Sequence, residues 1–180
     1  MAETAEWLQA SIGRGVALEL ALPDAPLWIM GDATGAHQVV ANLCVNAAHA
    51  MRGRAGAVSV TLDSLTIDGG RAEGLRDKVG AEGPAVVLDE SRADRLRAHV
   101  GLLRPGPHAR VTVRDAGTGM APEVFRHVFD PYFTTKPVGE GTGLGLAAVL
   151  GIVTQHDGAI TLETAPGAGT VFEIFFPLTD

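Results

Sequence analysis

The sequence predicts a two-layer α/β sandwich with helices on one face of a sheet, and three observations carry that prediction. Residues 58–67 (VSVTLDSLTI) and 108–115 (HARVTVRD) alternate apolar and polar side chains at the period of two that half-buried strands need. Residues 34–52 and 144–156 have apolar positions at helical spacing and helical length. Residues 160–163 and 170–176 flank the turn sequence Pro166-Gly-Ala-Gly169 and read as a hairpin. A length of 180 residues predicts one domain, and 46% apolar residues with a mean hydropathy of +0.18 supply a core and exclude chain-wide disorder.

From the N-terminus, residues 1–15 read as the remnant of a linker, with residues 16–180 as one domain. Residues 16–22 and 27–30 predict two edge strands joined by a tight turn at Pro23 and Pro26. Asp32 is placed as a helix N-cap, and Val39, Val40, Leu43, Ala47, Ala50 and Met51 mark the buried face of the helix that Gly53 ends. Residues 68–104 carry 14 charged side chains, seven of each sign, and read as a surface insertion. Within that insertion, residues 90–100 predict an exposed helix and residues 84–88 a short strand. Pro122 starts a short helix whose extension carries Phe125, Phe129 and Phe133 at fourfold spacing, better suited to packing than to chemistry. Residues 131–142, with Pro137, Gly139 and Gly141, read as a lid expected to order on ligand binding. Gly158 ends the helix of residues 144–156.

Charge narrows the function classes. Fourteen Lys and Arg against 21 Asp and Glu give a net charge of −7 and a pI near 5.3, so nothing in the balance favours a nucleic-acid backbone or an anionic membrane. An anion would have to be held by a local arrangement. A single cysteine, Cys44, excludes an internal disulfide and a Cys-only metal cage and fits a cytoplasmic setting. No apolar run approaches the roughly 20 residues of a membrane span, and residues 1–15 lack the pattern of a secretory signal.

Three constellations carry chemistry. Gln38, Asn42, Asn46 and His49 share one stripe of the first long helix. That stripe is either a polar surface or a row of neutral oxygen donors facing a hydrated cation, since Mg²⁺ keeps waters and completes its shell with phosphates. Asp115-Ala-Gly117-Thr-Gly119 follows a strand directly. It is either a capped turn or a carboxylate that accepts from an exocyclic amine while glycines let a flat ring approach the backbone. Gly139-Glu-Gly141-Thr-Gly143-Leu-Gly145 leads into a helix and offers bare N–H groups to an anion. Lys136 lies between Thr135 and Pro137, outside any P-loop signature, and the glycine spacing breaks at Leu144 and Leu146 where a dinucleotide fingerprint needs glycine.

Taken together these residues resemble the catalytic and ATP-binding domain of sensor histidine kinases, within the GHKL superfamily. Asn42-Leu-Cys-Val-Asn46-Ala resembles the N box, Asp115-Ala-Gly-Thr-Gly119 the G1 box, Phe129-Asp-Pro-Tyr-Phe133-Thr-Thr-Lys136 the F box and Gly141-Thr-Gly-Leu-Gly145-Leu the G2 box. All four stand in the family's order, and PVGEGTGLGL is most similar to nitrogen-regulator-like and hybrid kinases. The resemblance implies the Bergerat fold, an α+β sandwich whose mixed sheet is mostly antiparallel. It implies ATP and Mg²⁺ as cofactors. Asn46 would ligate the metal, Asn42 and Lys136 would act at the transferred phosphate, and Asp115 would receive the adenine amino group between Gly117 and Gly119. Thr170 would complete a water-mediated contact to the base, and Gly141, Thr142, Gly143, Leu144 and Gly145 would cradle phosphates.

Related ATPases of the superfamily carry a water-activating glutamate four residues before the metal-binding Asn. Here that position is Asn42, whose amide cannot take a proton at neutral pH, which favours transfer over hydrolysis. None of the six histidines has the setting of a phosphoacceptor: only His156 precedes an acidic residue, Asp157, and it reads as a helix end. The expected partners are therefore a dimerisation and phosphoacceptor domain and, through the full kinase, a response regulator receiver domain. The alternatives are a nucleotide-sensing module without kinase activity and a gyrase-type ATPase.

Overall fold

A computed structural model of the chain describes residues 7–9, 12, 16–69, 87–92, 95–101, 103–137 and 140–179, with residues 87–92 described as backbone. Seven strands form one sheet: β1 (Ala17–Ala21), β2 (Ala57–Ile67), β3 (Val87–Arg92), β4 (Arg95–Gly101), β5 (Gly106–Asp115), β6 (Ala159–Thr164) and β7 (Thr170–Pro177). Their spatial order is β1-β2-β5-β7-β6-β4-β3, and every pair is antiparallel except the parallel β1–β2 edge. Three helices are described between strands: α1 (Ala33–Ala50), the short α2 (Pro122–Phe125) and α3 (Gly145–Gln155). This is the α/β sandwich that the sequence pattern predicts, with the mixed, mostly antiparallel sheet that the family resemblance implies.

Strand alternation sorts the two faces of the sheet. Val58, Val60, Val113, Ile160, Leu162, Phe172 and Ile174 are buried on the face that receives Val39, Leu43, Ala47 and Met51 of α1 and Val149 and Val153 of α3. The opposite face carries a smaller buried cluster, Ile67, Leu103, Ala159 and Phe175, beside charged side chains. There Arg110 bridges Asp63 at 2.6 Å and Glu173 at 3.1 Å, and Glu163 holds Arg97 and Arg95. Among the described residues, the two long helices α1 and α3 lie over the first face.

α1 begins where Asp32 adopts an extended conformation and its carboxylate accepts from the Thr34 and Gly35 amides at 3.2 and 2.9 Å. The carboxylate is held below its usual range by those amides. α3 ends at His156, whose Nδ1 donates to Ile152 O while Nε2 accepts from the Asp32 amide at 3.0 Å. That bond ties the end of α3 to the start of α1, and Asn42 meets Gly145 at the other end of α3, so the two helices run antiparallel side by side.

Two expected elements are corrected. Residues 27–30 form no strand beside β1: the chain carries them to the end of β7, where Ile29 bridges Leu178 and Trp28 O accepts from the Thr179 amide. Residues 90–100 form no helix. β4 pairs with β6 instead, burying Ala98 and Val100 under the helices while Arg95 and Arg97 reach Glu163 on the other face. Sheet pairing and burial overrode a charge-rich composition that suits a solvated helix. Residues 87 and 88 of the expected strand open β3, while residues 70–86, 93, 94 and 102 of the charged segment lie outside the described residues, as do most of residues 1–15. Of the latter, Leu8 is buried in the main core and Trp7 stacks on His37 at 5.4 Å. Phe125 and Phe129 are buried as expected, and Phe133 packs on His127.

Candidate functional site

The site is built along the C-terminal half of α1. Asn42 donates from Nδ2 to Gly145 O at 3.1 Å, and Asn46 accepts from the Lys136 ammonium at 3.1 Å. A Cβ placed on Gly145 would stand 3.8 Å from Asn42 Cγ and 3.9 Å from Asn46 Nδ2, so the start of α3 lies directly against both amides. The N, F and G2 motifs thus converge on one spot. Lys136 is held below the ordinary lysine range, first by burial and then by the charge of Arg52, with Glu140 opposing. Glu140 pairs with Arg52 at 2.5 Å, which fastens the loop before α3 to the end of α1.

Ala50 stands four residues beyond Asn46, about 6 Å further along the helix axis. Its carbonyl accepts from the Thr118 amide at 3.1 Å, and a Cβ on Gly117 would stand 2.6 Å from the Ala50 carbonyl group. Only glycine permits that approach. Gly119 is left-handed at φ +60, and a Cβ there would come within 1.9 Å of Ala165 O. The turn after β5 is therefore seated on the last turn of α1 and on the β6–β7 loop.

At the end of the sheet, Asp115, Thr170 and Thr164 form one row across β5, β7 and β6. All three are buried, at 7%, 4% and 2% exposure, on the helix-covered face. Burial pushes the Asp115 carboxyl above its usual range, while the backbone amides of Gly117 and Thr170 pull it down. The Gly117 amide donates to Asp115 Oδ1 at 2.8 Å. Thr164 Oγ1 donates to Gly169 O, accepts from the Met120 amide and lies 3.2 Å from Thr170 Oγ1. A buried carboxylate with hydroxyls beside it and a glycine wall can accept from a flat, amine-bearing ligand.

The glycine loop brings its remaining residues to the same region. Gly143 is left-handed at φ +66 and abuts Tyr132, whose amide donates to Gly143 O at 2.9 Å. Gly141 lies against Thr134 and Lys136, Thr142 Oγ1 accepts from the Leu144 amide, and Leu144 is 41% exposed. Gly139 lies outside the described residues. Gln38 stands apart, lining a separate cleft of about 400 Å³ with Asp32 and His156, whereas His49 donates to Val45 O and lies near enough to Glu140 to act on its charge. The motif search missed Arg52, Arg54 and Thr164. Register alone could have found Thr164, since it pairs with Thr170, whereas the arginines follow the helix stop and carry no pattern.

Comparison with known proteins bears on this geometry. Residues 82–180 match the family described as histidine kinase-, DNA gyrase B-, and HSP90-like ATPase. The chain belongs to this family. Among curated relatives, this ATPase-family domain is 35% identical over 150 residues to the sensor histidine kinase ZraS of Salmonella typhimurium, covering 83% of the domain and 23% of ZraS. It is 31% identical to the sensor histidine kinase TrcS of Mycobacterium tuberculosis, covering 88% and 25%. The sensor kinase CckA of Brucella abortus is 44% identical over 85 residues, 47% of this chain and 9% of that protein. The domain thus spans about a quarter or less of these relatives' length. In structure it resembles the mycobacterial sensor histidine kinase MprB, with a TM-score of 0.59 at 23% identity over 99% of this chain and 94% of that one. It also resembles full-length ShkA in complex with AMPPNP, with a TM-score of 0.63 at 22% identity over 99% and 29%. The shared architecture is that of an ATP-binding domain of the kind sensor histidine kinases carry. Among the described residues no helix is long and apolar enough to cross a membrane.

Proposed function

We propose that residues 16–180 bind Mg·ATP and donate the γ-phosphoryl group to a histidine on a dimerisation domain outside this chain, which then serves a response regulator receiver domain. One observation carries the reading: α1 serves both ends of an extended ligand. Asn42 and Asn46 meet Gly145 and Lys136, and Ala50, one turn on, seats the turn that follows Asp115.

Asp115 accepts the adenine amino group, Gly117 and Gly119 leave room for the ring, and Thr170 contributes through water. Backbone N–H groups from Gly141, Thr142, Gly143, Leu144 and Gly145 at the start of α3 face the phosphates. Asn46 holds the metal position: its amide oxygen already accepts from a cation, the Lys136 ammonium, so the donor suits a hydrated Mg²⁺. When bound there, Mg²⁺ would supply neutralisation of the charge that develops in phosphoryl transfer. Lys136, moved off Asn46, reaches the γ-phosphate as a point charge. Asn42 is engaged with Gly145 O and has no basic atom with which to activate water, which supports transfer over hydrolysis.

The test is calorimetry with the β,γ-imido analogue of ATP, followed by phosphoryl transfer from labelled ATP to an added dimerisation domain. Binding of the analogue and an acid-labile label on the added domain are expected, with no label on this chain alone. Steady phosphate release without transfer would support the ATPase alternative instead.

A further inference from the structure

Beyond the end of α1 the chain turns sharply at Gly53, left-handed at φ +73, and the Arg54 amide donates to Met51 O at 2.9 Å. This turn sends the Arg54 side chain across to two loops. Its Nη1 atom lies 2.8 Å from Gly117 O, 3.4 Å from Ala116 O and 3.3 Å from Gly167 O. The first two carbonyls belong to the turn after β5 and the third to the β6–β7 loop, so one cationic nitrogen gathers three carbonyl dipoles.

Resting on the ATP reading above, we propose that Arg54 is a positioning residue for the base end of the nucleotide site. It touches no ligand. Its work is to hold the turn from Asp115 to Gly119 in the shape that aims the carboxylate and leaves a flat wall. That turn contains two glycines and so has little stiffness of its own. It is stitched to α1 by the Thr118 amide on Ala50 O and to the hairpin by the Gly167 amide on Thr118 O at 2.7 Å. Arg54 closes the third side. The residue is exposed, so truncating it removes little of the core and leaves the fold standing.

Because a single nitrogen makes all three contacts, an ammonium with three N–H donors can replace the guanidinium. Arg54→Lys is expected to retain the function and Arg54→Met to lose it. The experiment titrates the β,γ-imido analogues of ATP and of ITP, which carries a carbonyl in place of the amine, into wild type, Arg54→Met and Arg54→Lys, with thermal midpoints taken alongside. Arg54→Met should weaken the ATP analogue roughly tenfold and erase most of the preference for adenine, whereas Arg54→Lys should stay within about threefold of wild type. Midpoints should stay within about 3 °C. Unchanged adenine preference in Arg54→Met, or equal loss of both nucleotides with a matching fall in midpoint, would overturn the positioning role. Wild type that binds neither analogue would instead sink the nucleotide reading itself, and this proposal with it.

Discussion

The ammonium of Lys136 rests on the side-chain oxygen of Asn46 at 3.1 Å, across 90 residues of sequence. The cation of the loop before α3 therefore occupies the amide oxygen that the proposed function assigns to Mg²⁺, and on that proposal Lys136 exchanges this oxygen for a phosphate when the site loads. Arg52 and Arg54, on either side of Gly53, reach opposite ends of the same site: Arg52 to Glu140 in that loop, Arg54 to the turn behind Asp115.

Asn46→Ala removes the oxygen that the proposed function assigns to Mg²⁺ and leaves the proposed base end of the site intact. Calorimetry with the ATP analogue is expected to show about a tenfold loss of affinity in the presence of Mg²⁺ and a change within about twofold in EDTA. Equal losses in both conditions would assign Asn46 a role other than metal binding.

The Arg52–Glu140 pair is exposed on both sides, so it should tether the loop before α3 weakly and in a salt-sensitive way. Arg52→Ala is expected to speed hydrogen exchange at residues 140–143 by about two- to fivefold without moving the thermal midpoint. High salt should do the same to wild type and nothing further to the variant.

Burial raises the Asp115 carboxyl, so the folded chain binds a proton more tightly than the unfolded chain does. Its stabilising contribution is full below the ordinary carboxylate range and is lost as pH rises through the raised folded value. Asp115→Asn keeps an oxygen for the Gly117 amide and cannot ionise. At neutral pH its thermal midpoint should equal or exceed that of wild type, with the gap closing on acidification. Affinity for the ATP analogue should nonetheless drop roughly 10- to 100-fold. A variant that is both unstable and unable to bind would contradict this separation of folding from function.

Cys44 is fully buried on α1, and its thiol is pushed up to about 12 by that burial. A thiol reagent at pH 8 is expected to leave the native chain unlabelled and to label one site on denaturation, so labelling tracks unfolding. Rapid labelling of native protein would place the thiol at the surface.

Much of the site is legible before folding because its chemistry depends on residue types at short spacing. Asn42 and Asn46 stand one helical turn apart, and the glycines at 117, 119 and 143 mark places where a Cβ cannot fit. The clamp residues have no such spacing. Arg54 acts on Gly117 and Gly167, 63 and 113 residues away, and one exposed arginine in a sequence looks like any other. β4 was hidden for a related reason: a run as dense in charge as residues 90–97 suits a solvated helix until β6 pairs with it and Glu163 answers Arg95 and Arg97.

The sequence by itself determined the layers, the strongly alternating strands, the two long helices and the identity of the chemical groups, because these follow from local periodicity and from what glycine, asparagine and aspartate can do alone. Tertiary structure decided the sheet order, the fate of residues 27–30 and 90–100, and the contacts of Lys136, Arg52 and Arg54. Those depend on which distant backbone or charge arrives alongside, and that is fixed only when the sheet closes against the helices and burial selects one pairing over the rest.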